Sequence, residues 1–419
     1  MNLNKATNLG GGIYNVGTLT VDGGTVKHNE ADSGGGIAIA GAAAILSVKS
    51  SSIDDNDATS SGGGISNVDG QLIILNATSI HDNDAGTMGG GICNTRSDDG
   101  EFATVTIDGQ SSIYKNTALV GGGGIENSAG EVTIQGNSLV YENDVAAGSG
   151  QPGKGGGIFN MSVDNDIAKL TIDGTSRVEK NRARGTLDDP GGIDLDGGGG
   201  IYNDGGEVTI KGGSVVSQNL ADGCNGGGVF NLNGTITIDG GFVNSNGDES
   251  SIGLWSGAAD TVHGGGIFGF DEFASAGPIV NIKGGSIVED NYASTHGGGI
   301  YTLDEDVLIA GPGTKVNSNL AGQLGGGIYN FIDNVQSGIH VKIEGDVNVD
   351  DNEANSGGGI YNAGGTVEID AAVAQNGNTV EGNKATLLHG GGVYNVGTLL
   401  VEDGSIIQLN VTVHGNRFR

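Results

Sequence analysis

The stretch GGGIYNVGTLTVDGGTVKHNEADS, residues 10–33, is the shortest copy of a pattern that recurs along the whole chain. It reads as a glycine triplet, a short IYN segment, a turn at Val16-Gly17, then TLTVD, a turn at Gly23-Gly24, TVKHN and a link. Aligned on the triplet, copies begin at Gly10, Gly34, Gly62, Gly89, Gly122, Gly155, Gly198, Gly226, Gly264, Gly297, Gly325, Gly357 and Gly390, 24 to 43 residues apart. Within segments the apolar residues alternate, as in Leu19/Val21, Val105/Ile107 and Ile236/Ile238, which is the period of a strand with one buried face. Helical periodicity is absent.

Each copy holds too little apolar surface to fold alone, so it must stack on its neighbours around a narrow continuous core. Three short strands per copy describe an all-β, three-sided parallel β-helix of about thirteen coils, running as one solenoid over residues 1–419. Crossovers between parallel strands are overwhelmingly right-handed, which predicts the right-handed form. At ~4.8 Å per coil the rod would be ~60 Å long.

Two asparagine columns fit this reading. One closes the GGGIxN motif, from Asn15 to Asn395, and is missing in three copies; the other ends the third strand in every copy, from Asn29 to Asn410. An amide both donates and accepts, so stacked asparagines can bond along the column. A catalytic asparagine would occur once. The glycine triplet then reads as a corner that needs positive φ or close passage to the next coil. A phosphate cradle would need a following helix with Lys-Ser/Thr, which no copy has.

The linked pattern Ile/Val-x-x-Asn, spacer, Gly-Gly-x-Ile, as in IYKNTALVGGGGIEN (113–127), resembles the paired FxxN and GGAI motifs of chlamydial polymorphic outer-membrane proteins. More broadly the chain is similar to the right-handed β-helix passenger regions of bacterial surface adhesins. The resemblance spans essentially the whole chain. It departs from the family in having Ile or Val in place of Phe, and a third glycine in place of alanine; no C-terminal barrel follows. What it implies is adhesion at a cell surface or after secretion.

Composition narrows the function classes. With 85 glycines and only 4 prolines in 419 residues, the chain is neither collagen-like, lacking the triplet period, nor disordered, given its Ile and Val. A net charge of −32 removes the basic surface that nucleic acid requires. No apolar run approaches a membrane span, and MNLNKATNLGGG carries no signal-peptide pattern. Cys93 and Cys224 sit in different positions of copies about four coils apart, beyond disulfide reach, and read as buried thiols. Asn4-Lys5-Ala6 matches the end of a third strand and VHGNRFR shows no amphipathic cap, so a fragment or an end-to-end assembling rod is expected.

Function is sought where copies depart from the template. Three long links, 144–154, 182–197 and 247–263, interrupt the same corner and should cluster on one edge. The second joins Arg182 and Arg184 to Asp188, Asp189, Asp194 and Asp196. Those four carboxylates are a candidate metal set, with calcium the cation that many oxygens suit, though the spacing matches no known calcium loop. Otherwise no cofactor is expected. The third link holds Trp255, the sole tryptophan, as a ring for stacking on a sugar. The position after the motif isoleucine is aromatic in seven consecutive copies, including Tyr301, Tyr329, Tyr361 and Tyr394. Alternation points it outward, as a ligand-binding stripe or as rings covering one another.

The favoured reading is a non-enzymatic, extracellular or cell-surface adhesin-like β-helix that presents these loops and rings to a glycan or to a host or neighbour-cell protein. The alternative is a polysaccharide lyase or glycoside hydrolase on the same scaffold, with Arg182 or Arg184 as base beside Asp188 and Asp189.

Overall fold

A computed structural model describes residues 1–97, 102–146, 153–185, 195–248, 261–272, 280–332, 340–371 and 377–413. Among these there are strands and no helices. The chain supplies thirteen strands to each of three parallel sheets. It divides into two compact units, Met1–Asn219 and Leu220–Arg419, with seven and six coils. The parallel β-helix expected from the repeat is the observed fold.

The third coil shows how sequence becomes structure. Its strands are Ile65–Val68, Gln71–Leu75, Ser79–His81 and a two-residue Asp84–Ala85. Each pairs in parallel with its equivalent one coil on: Ile65 with Ile92, Leu72 with Val105, Ile80 with Ile113, Ala85 with Ala118. The fourth strand was not expected from sequence, because two residues carry no readable period. Alternation sends Ile65, Leu72, Ile74 and Ile80 inward, where none keeps solvent exposure. Each such side chain contributes ~1.5–3 kcal/mol through burial.

The glycine triplet works for two reasons at once. Gly62 has φ +69°, and a Cβ there would lie 2.6 Å from the Ile65 carbonyl oxygen. Gly63 and Gly64 pass so close to the next coil that a Cβ would meet the Gly90 and Gly91 carbonyls at 2.6 and 2.7 Å. Their amides donate to Gly89 and Gly90 of that coil. Architecture, not a ligand, occupies these N–H groups.

Both asparagine columns are hydrogen-bonded ladders. In the motif column Asn67, Asn94 and Asn127 each donate to the next rung at 2.7–2.8 Å. In the third-strand column Asn83 donates to Asn116 at 2.9 Å and Asn116 to Asn143 at 3.0 Å. The residue just before the third-strand asparagine is left-handed in every coil, as at Asp82 (φ +52°), Lys115 (φ +54°) and Gly382 (φ +67°). That turn aims the amide inward, and the ladder holds it there.

Candidate functional site

The second position of the first strand forms an in-register column in each unit. In Leu220–Arg419 it is Phe230, Phe268, Tyr301, Tyr329, Tyr361 and Tyr394. Ring centroids are 4.7–5.3 Å apart, and from Phe268 to Tyr394 the planes lie within 13–23° of one another. The rings therefore spend their π-faces on each other, which stabilises coil against coil by ~0.5–1.5 kcal/mol per pair.

Alternation alone would leave this column open to solvent, yet Tyr301 and Tyr329 are only 8% and 7% exposed. The cause is the link. The left-handed first glycine of each triplet folds the preceding residue back over the rings: the His263 ring centre is 4.9 Å from that of Tyr301, and His296 stacks on Tyr329 at 4.8 Å. His263, His296, Leu324 and Ser356 bridge in parallel as a roof. Tyr361 and Tyr394 are half-buried, so the column reaches solvent there, through ring edges and hydroxyls. An outward, uncovered stripe is thus replaced by a roofed one.

Burial keeps the roof neutral. His263 is pushed down to about 3 by desolvation and then by His296, and burial lowers His296 as well. Tyr329 is pushed up to about 12 by burial and then by Tyr361.

In Met1–Asn219 the same column is chemically mixed: Tyr14, Ala38, Ser66, Cys93, Glu126, Phe159 and Tyr202. Glu126 is 2% exposed, and desolvation pushes it up to about 7 against hydrogen bonds from the Cys93 thiol, the Thr95 hydroxyl and the Asn94 backbone. Burial pushes the Cys93 thiol up in turn. Cys93 and Cys224 are both buried thiols, not joined in a disulfide. Lys154, at the end of the first long link, lies 4.9 and 5.7 Å from the Tyr202 and Phe159 ring centres and 3.7 Å from Asp204.

The loop residues fall unevenly. Arg182 and Arg184 belong to the strand Arg182–Arg184 that precedes the second insertion. Arg184 pairs with Asp144 of the neighbouring coil, and Arg182 is 9% exposed. A guanidinium committed to a carboxylate is a poor general base, and this arrangement lends the lyase or hydrolase reading no support. Asp196 is buried, whereas Asp188, Asp189, Asp194 and Trp255 lie outside the described residues. Among the described residues no three His, Cys, Asp or Glu side chains are grouped to hold a metal ion. The stems of the first two insertions are in register: Val145 pairs with Ala183 where they leave, and Lys154 with Gly197 where they return.

A second aromatic cluster escaped sequence reading. On the outer face of the third sheet His81, Tyr114 and Tyr141 stack at 4.7 and 4.9 Å. The signal was present, since each stands two residues before a third-strand asparagine, as HDN, YKN and YEN. It runs for only three copies.

No helix among the described residues is long and apolar enough to cross a membrane. No protein-family model matches the sequence, and neither a curated protein nor a solved structure is significantly similar to it.

Proposed function

We propose that the chain is a non-enzymatic, adhesin-like β-helix, exposed on a cell surface or secreted, that binds a glycan or a protein through loops carried on a rigid solenoid. The observation that carries this reading is the in-register origin of insertions 144–154 and 182–197 on adjacent coils. The strand backbones and the asparagine columns of the repeats are spent on internal ladders, whereas these insertions add chain that the fold does not need. Resemblance of the Ile-x-x-Asn and Gly-Gly-x-Ile motifs to surface adhesins points the same way. The half-buried Tyr361 and Tyr394 add a secondary contact surface of ring edges and hydroxyls, and Trp255 belongs to a third insertion. Calcium, held by Asp188, Asp189, Asp194 and Asp196, would order the second loop.

The test is a glycan array and a cell-binding assay with the full chain, each run with calcium and with chelator. A companion variant replaces residues 147–152 and 186–194 by links as short as those of other coils. Loss of binding in that variant, with an unchanged β-sheet spectrum, supports the reading. Undiminished binding by the shortened variant overturns it.

A further inference from the structure

We propose that Tyr114 and Tyr141 form an oxidative cross-linking site, at which a one-electron phenol oxidant joins two neighbouring coils through an ortho–ortho carbon–carbon bond. The two residues are direct partners in parallel strands Ser112–Tyr114 and Leu139–Tyr141. Their rings stack at 4.9 Å with planes 10° apart. Identical side chains in direct parallel register, with nearly parallel planes, bring the ortho positions of the two rings to neighbouring places one coil apart. Both rings are half-buried, so their edges and hydroxyls meet solvent while the faces are held between neighbours.

The surroundings suit phenol oxidation. Tyr114 faces Asp82, Asp54 and Glu142, and Tyr141 faces Glu142 and Glu179. His81 stacks on the free face of Tyr114 at 4.7 Å. A phenol that loses an electron must also lose its proton, which passes to solvent, and the negative charge of these neighbouring carboxylates favours the electron-poor ring. Ladder hydrogen bonds on both sides hold the two strands in place. The radicals therefore meet at the effective concentration of an intramolecular reaction.

The step balances with peroxide as oxidant and a haem peroxidase as the agent that delivers it in one-electron steps. Each phenol gives one electron and one proton. The two phenoxyl radicals join at their ortho carbons, and the two ring hydrogens return to the oxygens as aromaticity is restored. One hydrogen peroxide becomes two waters. Tyr361 and Tyr394 repeat the geometry at 4.7 Å and are also half-buried, so a second link is expected there. Tyr301 and Tyr329 stack at 4.9 Å but lie under the histidine roof and serve as the covered comparison.

The experiment treats the full chain at high dilution with peroxidase and peroxide, then follows dityrosine fluorescence, intact mass and tryptic peptides. Cleavage after Arg96, Lys115 and Lys154 puts Tyr114 and Tyr141 on separate peptides. The expected result is a monomer with two hydrogens fewer per link, formed at a rate independent of protein concentration. Peptides 97–115 and 116–154 should be joined. Tyr114→Phe keeps the ring stack and should abolish that linked pair while leaving the β-sheet spectrum unchanged. The proposal is overturned if the linked pair is absent from the wild type, if it persists in Tyr114→Phe, or if it forms only between molecules.

Discussion

The Asn231 side-chain amide donates to Glu305 Oε1 at 2.8 Å, across a coil that has no rung of its own. Between them in the motif column stands Gly269, where every asparagine-bearing coil would place an amide. The other amide hydrogen of Asn231 goes to the Gly234 carbonyl at 2.9 Å. Glu305 comes from the turn after the next first strand and fills the gap with a fully buried carboxyl, whose Oε2 has no hydrogen-bond partner. A gap in the ladder, where Gly269 and Thr302 stand in place of asparagines, is thus bridged at its first position from a neighbouring coil by a group that is costly to bury.

That repair predicts a pH dependence. Burial, followed by Asp271 and Asp306, holds the Glu305 carboxyl well above its usual range, against the opposing bond from Asn231. The folded state therefore keeps a proton that the unfolded chain releases, and stability falls as pH rises from the ordinary carboxylate range towards the folded pKa. Glu305→Gln supplies a neutral group of the same shape. It is expected to match wild type in acid and exceed it by ~1–3 kcal/mol at alkaline pH. Urea unfolding of both proteins across pH reads this, and parallel pH profiles would refute it.

The same gap predicts a compensating pair. A Cβ on Gly269 would collide with the Glu305 carboxylate, so Gly269→Asn alone is expected to destabilise by several kcal/mol through overpacking beside a buried carboxyl. Combined with Glu305→Ala, the new asparagine can take the place of Glu305 as the partner of Asn231, with Thr302 the next residue of the column, and recover most of the loss. A double-mutant cycle measures the coupling; additive effects would sink this account of Glu305.

Much of this architecture was legible in the sequence, and the rest was hidden for identifiable reasons. Alternation at pairs such as Val105/Ile107 fixed which residues face the lumen, and both asparagine columns were visible as repeated letters. The roof over Tyr301 was not legible, because it depends on how Gly264 and Gly297 fold His263 and His296 back. Alternation describes two faces of a strand and says nothing of a second layer. Glu305 was invisible for a related reason: it repairs a column to which it does not belong in the alignment. The insertions were found by length, but length carries no geometry for Asp188, Asp189 or Trp255.

The third-strand ladder should be sensitive at its middle rungs. Asn116 donates to the Ile80 carbonyl and to Asn143, and its Oδ1 accepts from both the backbone and the side-chain amide of Asn83. Asn116→Ala strands these buried partners at ~1–3 kcal/mol for each group left unpaired. The expected loss is at least ~2 kcal/mol in chemical denaturation, and a loss below ~0.5 kcal/mol would mean that the ladder is incidental.

Left-handed turns beside the ladder offer a stabilising change. Lys115 is exposed and adopts φ +54°, where an L side chain is disfavoured by ~1–2 kcal/mol, and Gly382 occupies the equivalent place in another coil. Lys115→Gly is expected to be neutral or to stabilise by up to ~1 kcal/mol, after the entropy of the unfolded chain is counted. Lys115→Val should destabilise. A melting curve for each variant distinguishes the two, and a destabilised Lys115→Gly would count against strain at this turn.

Two buried groups should give the two units opposite responses to acid. Glu126, pushed up to about 7 from 4.5, retains its proton when folded, so stability in its unit falls as pH rises through that interval. His263, pushed down to about 3 from 6.5, stays neutral when folded while the unfolded chain takes up a proton, so stability in its unit falls as pH drops below 6.5. Each slope is at most ~1.4 kcal/mol per pH unit. Hydrogen exchange corrected for intrinsic rates, measured in a Glu305→Gln background because Glu305 lies in the same unit as His263 and titrates in the opposing sense, should show coils around Glu126 better protected at pH 5 than at pH 7, and coils around His263 the reverse. Glu126→Gln should flatten the first response and His263→Gln the second. A common direction in both regions would show that neither group governs local stability, because a shared response requires a titration spread over the whole acidic surface.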